Sequence, residues 1–501
     1  MTTAMNQRAS GLLLHISSIP TRFGIGDFGP EAFRFADFLA ESKQHFWQIL
    51  PLNPTDPGSD NSPYLSQSAY ALNPLLISPE TLVEEKLLDQ KDLQAIPCDP
   101  ENRIPYAQVI PEKSRLLQIA FVNFQKRSDH EDFLHFCQDQ AWWLEDYALF
   151  MALKKHFGGI PWTTWDKPVR DRDPKSLNAY RKELAALIEE RRFYQWAASR
   201  QWMRLKNHCN QRNIRIIGDI PIYVAHESVD VWANPQFFKL DENKLPTHVA
   251  GVPPDYFSET GQLWGNPVYN WQALKLQGFR WWNDRVARNL SLFDVARIDH
   301  FRGLVAYWEV PADQKTAIHG EWVPVPVYEF LDQLRDQFPN MPIIAEDLGT
   351  ITEDVKEVIA HYQVPGMKVL LFAFGGDMEN PYLPHNLSES CVLYTGTHDN
   401  NTLAGWFESE ADDVMRRQVA GYLGHMPTPA SLPEDFLKLS MESVANWVIF
   451  PVQDILGLGM EHRMNNPATS SGNWQWRLPP GRLTPEIGKW LADWTVVTGR
   501  F

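Results

Sequence analysis

Three acidic residues stand at the ends of short β-like runs. Asp299 ends the run in VARIDHFRG, Glu346 the run in PIIAEDLG and Asp399 the run in LYTGTHDNN. Parallel barrels carry their chemistry at the C-terminal ends of strands, and retaining glycoside chemistry needs carboxyl groups gathered at one point. The recurrence therefore indicates a sugar-processing site. A single acid at a strand end is more often a helix cap or an ion-pair partner.

The residues around each acid indicate different roles. Arg297 lies two positions before Asp299 and shares its strand face, so a guanidinium there would keep that carboxylate ionised, as a nucleophile requires. Glu346 follows a run of apolar residues, a setting that raises the pKa of a carboxyl group toward that of a general acid. The His398–Asp399 pair could bind sugar hydroxyls, with metal ligation or helix capping as the alternatives.

Two further polar residues are candidates. Asp219 ends the run in RIIGDIPIYV, where a structural role fits as well as a functional one. Tyr64 lies in NSPYLSQSAYALNP among several hydroxyl side chains, which is a weak signal by itself.

Short runs rich in Ile, Val and Leu, each followed by turn residues and a helical pattern, are expected to position these side chains. This alternation predicts a parallel sheet, and eight units favour a closed (β/α)₈ TIM barrel of the α/β class over an open doubly wound sheet. No G-x-G-x-x-G follows the first run to indicate dinucleotide binding. The predicted strands are 12–16, 46–50, 214–219, 295–299, 342–346, 367–372, 392–395 and 447–452. The predicted helices are 30–42, 194–210, 281–290, 327–337, 352–362, 410–422 and 485–494.

Two intervals are too long to be ordinary loops, so we expect one catalytic barrel over residues 1–501 with two insertions. Residues 72–193 carry amphipathic patterns and predict a helical insertion after the second strand. Residues 225–278 are rich in Pro, Gly, Asn and aromatic residues and predict an irregular aromatic loop after the third strand. Long ordered loops in compact domains are usually functional, so we expect this segment to overhang the active site.

Composition limits the partners. The chain has 46 basic and 62 acidic residues, a formal charge of −16, and no Lys/Arg cluster of the kind that nucleic acid requires. No segment approaches the roughly 20 apolar residues of a membrane span, and the first residues lack a signal-peptide core. Four cysteines, Cys98, Cys137, Cys209 and Cys391, have neither zinc nor disulfide-framework spacing. We therefore expect a cytoplasmic protein without nucleic-acid or membrane partners.

The chain has 20 tryptophans. Some of them fill a large interior. A sugar cleft is the alternative use, because the apolar faces of glucose rings stack on indole.

Long motifs in order along the chain carry a resemblance to a known family. The chain resembles the 4-α-glucanotransferases called amylomaltase or disproportionating enzyme, in the α-amylase clan. The motifs are GLLLHISSIPTRFGIGDFG, SPYLSQSAYALNP, GDIPIYV, AGVPPDYFSETGQLWGNPVY, ARIDHFRG, AEDLG, GTHDNNT and RMNNPATSSGNWQWR. The resemblance covers nearly the whole chain and implies a barrel with inserted subdomains. It implies transfer of α-1,4-glucan segments from a donor to the 4-hydroxyl of an acceptor glucan or glucose.

The resemblance also implies roles for individual residues. Asp299 would be the nucleophile, Glu346 the acid/base, and Asp399 the carboxylate that holds hydroxyls of the distorted sugar. No cofactor and no metal are implied, and the partners would be α-1,4-glucans and maltooligosaccharides. The implied sugar-binding residues are Tyr64, Asp219, Asp255, Trp264, Arg297, His398 and Asn465.

The motifs depart from the family pattern at two positions: Ala468 stands where many relatives have glycine, and Asn401 where many have an acid. Two other functions stay open from sequence. An α-glucan hydrolase would use the same three carboxylates and differ only in its acceptor. A non-catalytic glucan-binding protein is less consistent with intact acids. The sequence leaves the oligomeric state unknown.

Overall fold

Eight parallel strands close into a barrel in the computed structural model, which describes residues 7–97, 102–254, 258–349 and 351–501. Around the barrel the strands follow the order β1-β12-β11-β10-β9-β6-β3-β2. The described strands, in chain order, are β1 Ala9–Leu13, β2 Phe46–Gln48, β3 Arg215–Ile220, β4 His248–Val252, β5 Gln262–Pro267, β6 Val295–Ile298, β7 Ala306–Pro311, β8 Glu321–Pro324, β9 Ile343–Ala345, β10 Gly366–Val369, β11 Cys391–Tyr394 and β12 Trp447–Pro451. The predicted (β/α)₈ barrel is confirmed.

All eight predicted barrel strands are present, and the largest shift in position is at the first. The run Leu12–Ile16 was expected to be the strand, but β1 pairs with β12 from Ala9 to Leu13. The residues from Leu14 to Ile19 are also buried, and Ile16–Ser18 form a short 3-10 helix after β1. The run of apolar residues therefore continues beyond the paired strand, and the strand predicted from sequence begins and ends too late in the chain.

Helices surround the barrel. The described helices are α1 Pro30–Glu41, α2 Pro79–Glu84, α3 Tyr106–Gln125, α4 Glu131–Asp139, α5 Ala141–His156, α6 Lys167–Arg170, α7 Pro174–Glu183, α8 Ala185–Asn210, α9 Val229–Ala233, α10 Trp271–Leu276, α11 Arg280–Leu292, α12 Val327–Gln337, α13 Glu353–Tyr362, α14 Leu403–Ser409, α15 Asp413–Leu423, α16 Leu432–Glu442, α17 Val452–Ile455 and α18 Pro485–Val497.

Helix α1 illustrates why these segments become helices. Pro30 occupies the first helical position, where its missing N–H costs nothing, and Glu31 lies in the first turn near the positive end of the helix dipole. Ala32, Phe35 and Leu39 lie on one buried face, spaced by three and four residues. That face packs against the barrel, so the spacing of the apolar residues determines which side of the helix is buried.

Helices α2 to α7 and the 26-residue α8 occupy the chain between β2 and β3. Helix α8 packs against α1 and also against α5, so it joins the inserted helices to the barrel wall. Within the described ranges, no helix combines the length and apolar character needed to cross a membrane.

A second sheet lies beside the barrel. It has the antiparallel order β5-β4-β7-β8, with β4 and β5 from the interval 225–278 and β7 and β8 from the chain after β6. The sequence predicts an irregular loop in that interval, and the structure contains these two strands instead. Gly251, Gly265 and Pro267 interrupt a recognisable strand pattern, and the pairing partner β7 is remote in sequence, so local pattern does not indicate the sheet.

Arg500 fastens the end of the chain to the barrel. Its side chain is fully buried and donates hydrogen bonds to the carbonyl oxygens of Met441 (2.9 Å), Ser443 (3.1 Å), Ala445 (2.9 Å) and Asn446 (3.1 Å). These carbonyls end α16 and lead into β12, where the last helical carbonyls have no partner within the helix. A cation at that end also complements the helix dipole.

We expect Arg500→Met to lower the free energy of unfolding by about 3 kcal/mol, because several buried carbonyl groups would lose a charged donor. Urea titration followed by tryptophan fluorescence measures the change. Arg482→Met is the matched control, because Arg482 is exposed. Equal midpoints for the two variants would contradict this role for Arg500.

Candidate active site

The strand ends on one side of the barrel bring the predicted acids together. Asp299 follows β6 and Glu346 follows β9, which are neighbours, and Asp219 lies in the adjacent β3. The amide of Asp299 donates to the carbonyl of Ile220 (3.0 Å) and that of Glu346 to the carbonyl of Ile298 (3.1 Å). Hydrogen bonding between the strands therefore includes the backbone of both acidic residues and holds their Cα atoms in place.

Arg297 lies between two of these carboxylates. Its Nη1 donates to Oδ2 of Asp219 (2.6 Å), and its Nη2 donates to Oδ1 of Asp299 (2.7 Å). The side chains of Arg297 and Asp219 are 4% and 0% exposed, whereas that of Asp299 is 26% exposed. One buried cation thus orients both acids and leaves Asp299 open toward the cleft.

Tyr64 links this group to the loop after β11. Its hydroxyl donates to Oδ2 of Asp219 (2.6 Å) and lies 2.8 Å from Nε2 of His398. Because the hydroxyl proton is already used, Nε2 of His398 must be the donor in the second bond, which assigns its tautomer. The rings of Tyr64 and His398 are stacked with centroids 5.2 Å apart. Burial raises the pKa of Tyr64 well above its ordinary value, so it remains a phenol.

Asp399 is held from two sides. Its Oδ1 accepts a hydrogen bond from Nδ2 of Asn465 (2.7 Å), and its Oδ2 lies 3.3 Å from Nε2 of His398. Its side chain is 40% exposed, against 26% for that of Asp299. An exposed acceptor in fixed orientation is suited to binding hydroxyl groups.

Glu346 has a different environment. Its Oε2 accepts from the amide of His300 (2.7 Å) and its Oε1 from the amide of Leu348 (3.0 Å). Burial raises the pKa of Glu346 to about 8, and the charge of Asp299 adds to this, while Arg297 and the two amides oppose it. A raised pKa favours the protonated form of Glu346, in the direction that the apolar run before it predicts.

Aromatic rings line the site. Trp264 of β5 contacts the ring of His300 edge-on, with centroids 4.9 Å apart, and lies 6.1 Å from the ring of Tyr223. Trp474 lies 5.5 Å from the ring of Tyr64. The accessory sheet thus brings Trp264 next to the residue that follows Asp299. Asp255, the remaining predicted site residue, lies outside the described residues.

The structure adds residues that sequence reasoning did not single out. His300 has φ of 49°, a left-handed conformation that is uncommon outside glycine, and its amide donates to Glu346. Trp474 also has positive φ, 61°. His300 lies in the motif ARIDHFRG and Trp474 in RMNNPATSSGNWQWR, but the backbone conformation of a single residue leaves no pattern in the sequence.

The two departures from the family pattern have local explanations. Nδ2 of Asn401 donates to Oε1 of Glu410 (2.7 Å), so an amide serves as a donor at this position. Ala468 is not among the residues with positive φ, so the turn does not require glycine there. Among the described residues, no group of three or more His, Cys, Asp or Glu side chains is arranged to hold a metal ion.

Comparison with known proteins gives a consistent result. The family described as 4-alpha-glucanotransferase matches residues 14–484. A 4-alpha-glucanotransferase of Synechocystis is 48% identical, with 99% of each chain aligned, and one of Thermus thermophilus is 46% identical over 98% of this chain and 99% of its own. The solved amylomaltase of Streptococcus agalactiae, in complex with acarbose, has a TM-score of 0.95 at 39% identity and covers 99% of this chain and 100% of its own. The chain therefore belongs to the 4-alpha-glucanotransferase family.

Proposed function

We propose that this protein moves α-1,4-glucan segments between maltooligosaccharides by a retaining double displacement. Asp299 is the nucleophile, Glu346 the acid/base and Asp399 the carboxylate that holds sugar hydroxyls. The observation that carries this assignment is the contrast between two acids on adjacent strand ends. Asp299 is paired with a buried guanidinium, while burial raises the pKa of Glu346 to about 8.

In the first step, protonated Glu346 gives its proton to the glycosidic oxygen as that oxygen leaves C1 of the donor sugar. The carboxylate of Asp299 attacks C1, so the glycosidic bond breaks and a glycosyl ester forms. Asn465 and His398 hold Asp399 in one orientation, in which it accepts bonds from hydroxyls of the distorted sugar.

In the second step, ionised Glu346 removes the proton from the 4-hydroxyl of an acceptor sugar. The acceptor oxygen attacks C1 and releases Asp299, and two inversions give overall retention. Transfer requires that the ester wait for a sugar while water is excluded. Trp264 supplies part of the cover, because its ring packs against His300 beside the nucleophile.

Hydrolysis by the same three acids is the competing function, since water can replace the acceptor. The family relationship and the near-complete coverage of the named transferases favour transfer. Acarbose, bound in the related streptococcal amylomaltase, supports an α-glucan site. Maltooligosaccharides as the substrates and a cytoplasmic location stay predictions.

Given pure maltotriose, the protein should produce both longer and shorter chains together with free glucose. Each transfer breaks one α-1,4 bond and makes another, so total reducing ends should stay almost constant while the length distribution spreads. Chromatography of the products with a parallel reducing-end assay measures both quantities. A rise in reducing ends equal to the bonds cleaved, with nothing longer than maltotriose, would identify a hydrolase.

Asp299→Asn and Glu346→Gln should each lower kcat for maltotriose at least about 10³-fold, roughly 4 kcal/mol of transition-state stabilisation. Steady-state kinetics measure the loss, and circular dichroism checks that the variants fold. Glu353→Gln is the control for removing one carboxylate, because the side chain of Glu353 is 75% exposed. Near-normal kcat in either variant would remove that residue from the catalytic pair.

The raised pKa of Glu346 should appear in the pH dependence of stability. Between its ordinary pKa of 4.5 and its folded value of about 8, the folded protein keeps a proton that the unfolded chain has released. This contribution is complete below pH 4.5 and is lost as pH rises toward 8. Glutamine does not ionise, so the Tm of Glu346→Gln minus that of wild type should increase from pH 5 to pH 8. A difference that is constant across this range would contradict the assignment.

A further inference from the structure

Arg463 connects Asp399, the third carboxylate, to Asn465, whose side chain holds it. Its Nη2 donates to the backbone carbonyl of Asp399 (3.1 Å), and its Nε donates to the backbone carbonyl of Asn465 (3.3 Å). The side chains of Asp399 and Asn465 meet at 2.7 Å. One planar guanidinium therefore spans the backbones of the same two residues whose side chains form the pair.

The two backbones belong to different parts of the chain. Asp399 lies after β11, and Asn465 lies after β12. The amide of Asn465 also donates to the carbonyl of His398 (3.1 Å), which joins the same two loops. The side chain of Asp399 is 40% exposed, and Nδ2 of Asn465, which donates to its Oδ1, comes from the other loop. Its orientation therefore depends on the spacing between the two loops.

Arg463 is itself held from a third side. Its Nη1 lies 3.5 Å from Oε1 of Glu410, the same oxygen that accepts from Nδ2 of Asn401. The side chain of Glu410 is 47% exposed, so this ion pair is weak. We therefore expect the hydrogen bonds to the two carbonyls, rather than the ion pair with Glu410, to hold the two loops together.

We propose that Arg463 is a positioning residue that sets the Asp399 carboxylate through the Asn465 side chain. The inference rests on the role proposed for Asp399. A rigid fork of N–H donors fixes the separation of two acceptors in a way that a lysine ammonium does not. Loss of the fork lets the loops separate, and Asp399 then binds the distorted sugar less well in the transition state.

Arg463→Gln should lower kcat for maltotriose disproportionation about 10- to 100-fold, because small misplacements of a catalytic group cost rates of that order. The KM should change less than about 3-fold, since the lost interaction is made mainly in the transition state. Glu410→Gln should change kcat less than about 3-fold, because the carbonyl bonds remain.

Arg416→Gln is the matched control. Arg416 also donates to backbone carbonyls, from Nε to Ala411 (3.0 Å) and from Nη2 to Phe407 (2.8 Å) and Glu408 (3.2 Å), but it bonds to none of the three carboxylates. Its variant should lose some thermal stability and keep kcat within about 2-fold of wild type.

A double-mutant cycle with Asn465→Ala separates positioning from a general structural role. If Arg463 acts through Asn465, then Arg463→Gln should cost less than about 2-fold in kcat once Asn465 is alanine. Additive losses, or a rise in KM with kcat unchanged, would overturn the inference.

Wild type is assayed alongside. If wild type does not disproportionate maltotriose, the proposed function is wrong. If wild type is active and the cycle is additive, only the role of Arg463 is wrong. If Arg463→Gln does not fold, Arg463→Lys takes its place in the cycle, because it keeps the charge and loses the fork. If neither variant folds, Arg463 is a structural residue and the inference is wrong.

Discussion

The buried Arg297 is the interaction on which the site depends. Asp219 is fully buried, and a buried carboxylate is costly unless a cation and hydrogen bonds compensate it. Arg297 offsets part of that cost, although burial still raises the pKa of Asp219, and its second nitrogen orients Asp299. Removal of the guanidinium would leave one buried acid without its cation and release the other. Stability and nucleophile position are therefore coupled through a single side chain.

From Arg297 an ordered chain of hydrogen bonds crosses the barrel mouth. Asp219 accepts from Tyr64, Tyr64 accepts from His398, and His398 faces Asp399, which Asn465 holds from the other side. Three acids thus have three environments: an ion pair for Asp299, a buried site bonded to two amides for Glu346, and an exposed hydrogen-bonded position for Asp399. Placement on neighbouring strand ends explains how one small region gives its acids such different surroundings.

Much of the barrel could be predicted from sequence because its signals are local. Apolar runs such as that ending at Glu346 show both the strand and the acid after it, and the setting of Glu346 gave the direction of its pKa shift. The accessory sheet could not be predicted, because β4 pairs with β7 although β5 and β6 lie between them in the chain, and because glycine and proline interrupt the pattern. The left-handed backbone of His300 and the carbonyl bonds of Arg463 depend on contacts between distant segments, which no local pattern encodes.

The most direct test of the account is to trap the glycosyl ester. The Glu346→Gln variant, given an α-glucosyl fluoride, forms the ester without needing a proton on the leaving group and then releases it slowly, because no base activates the acceptor. Mass spectrometry of the digested protein should find one added glucosyl unit on the peptide that contains Asp299, at the Asp299 side chain. A label on any other residue, or turnover of the fluoride by wild type with inversion at C1, would contradict the double displacement.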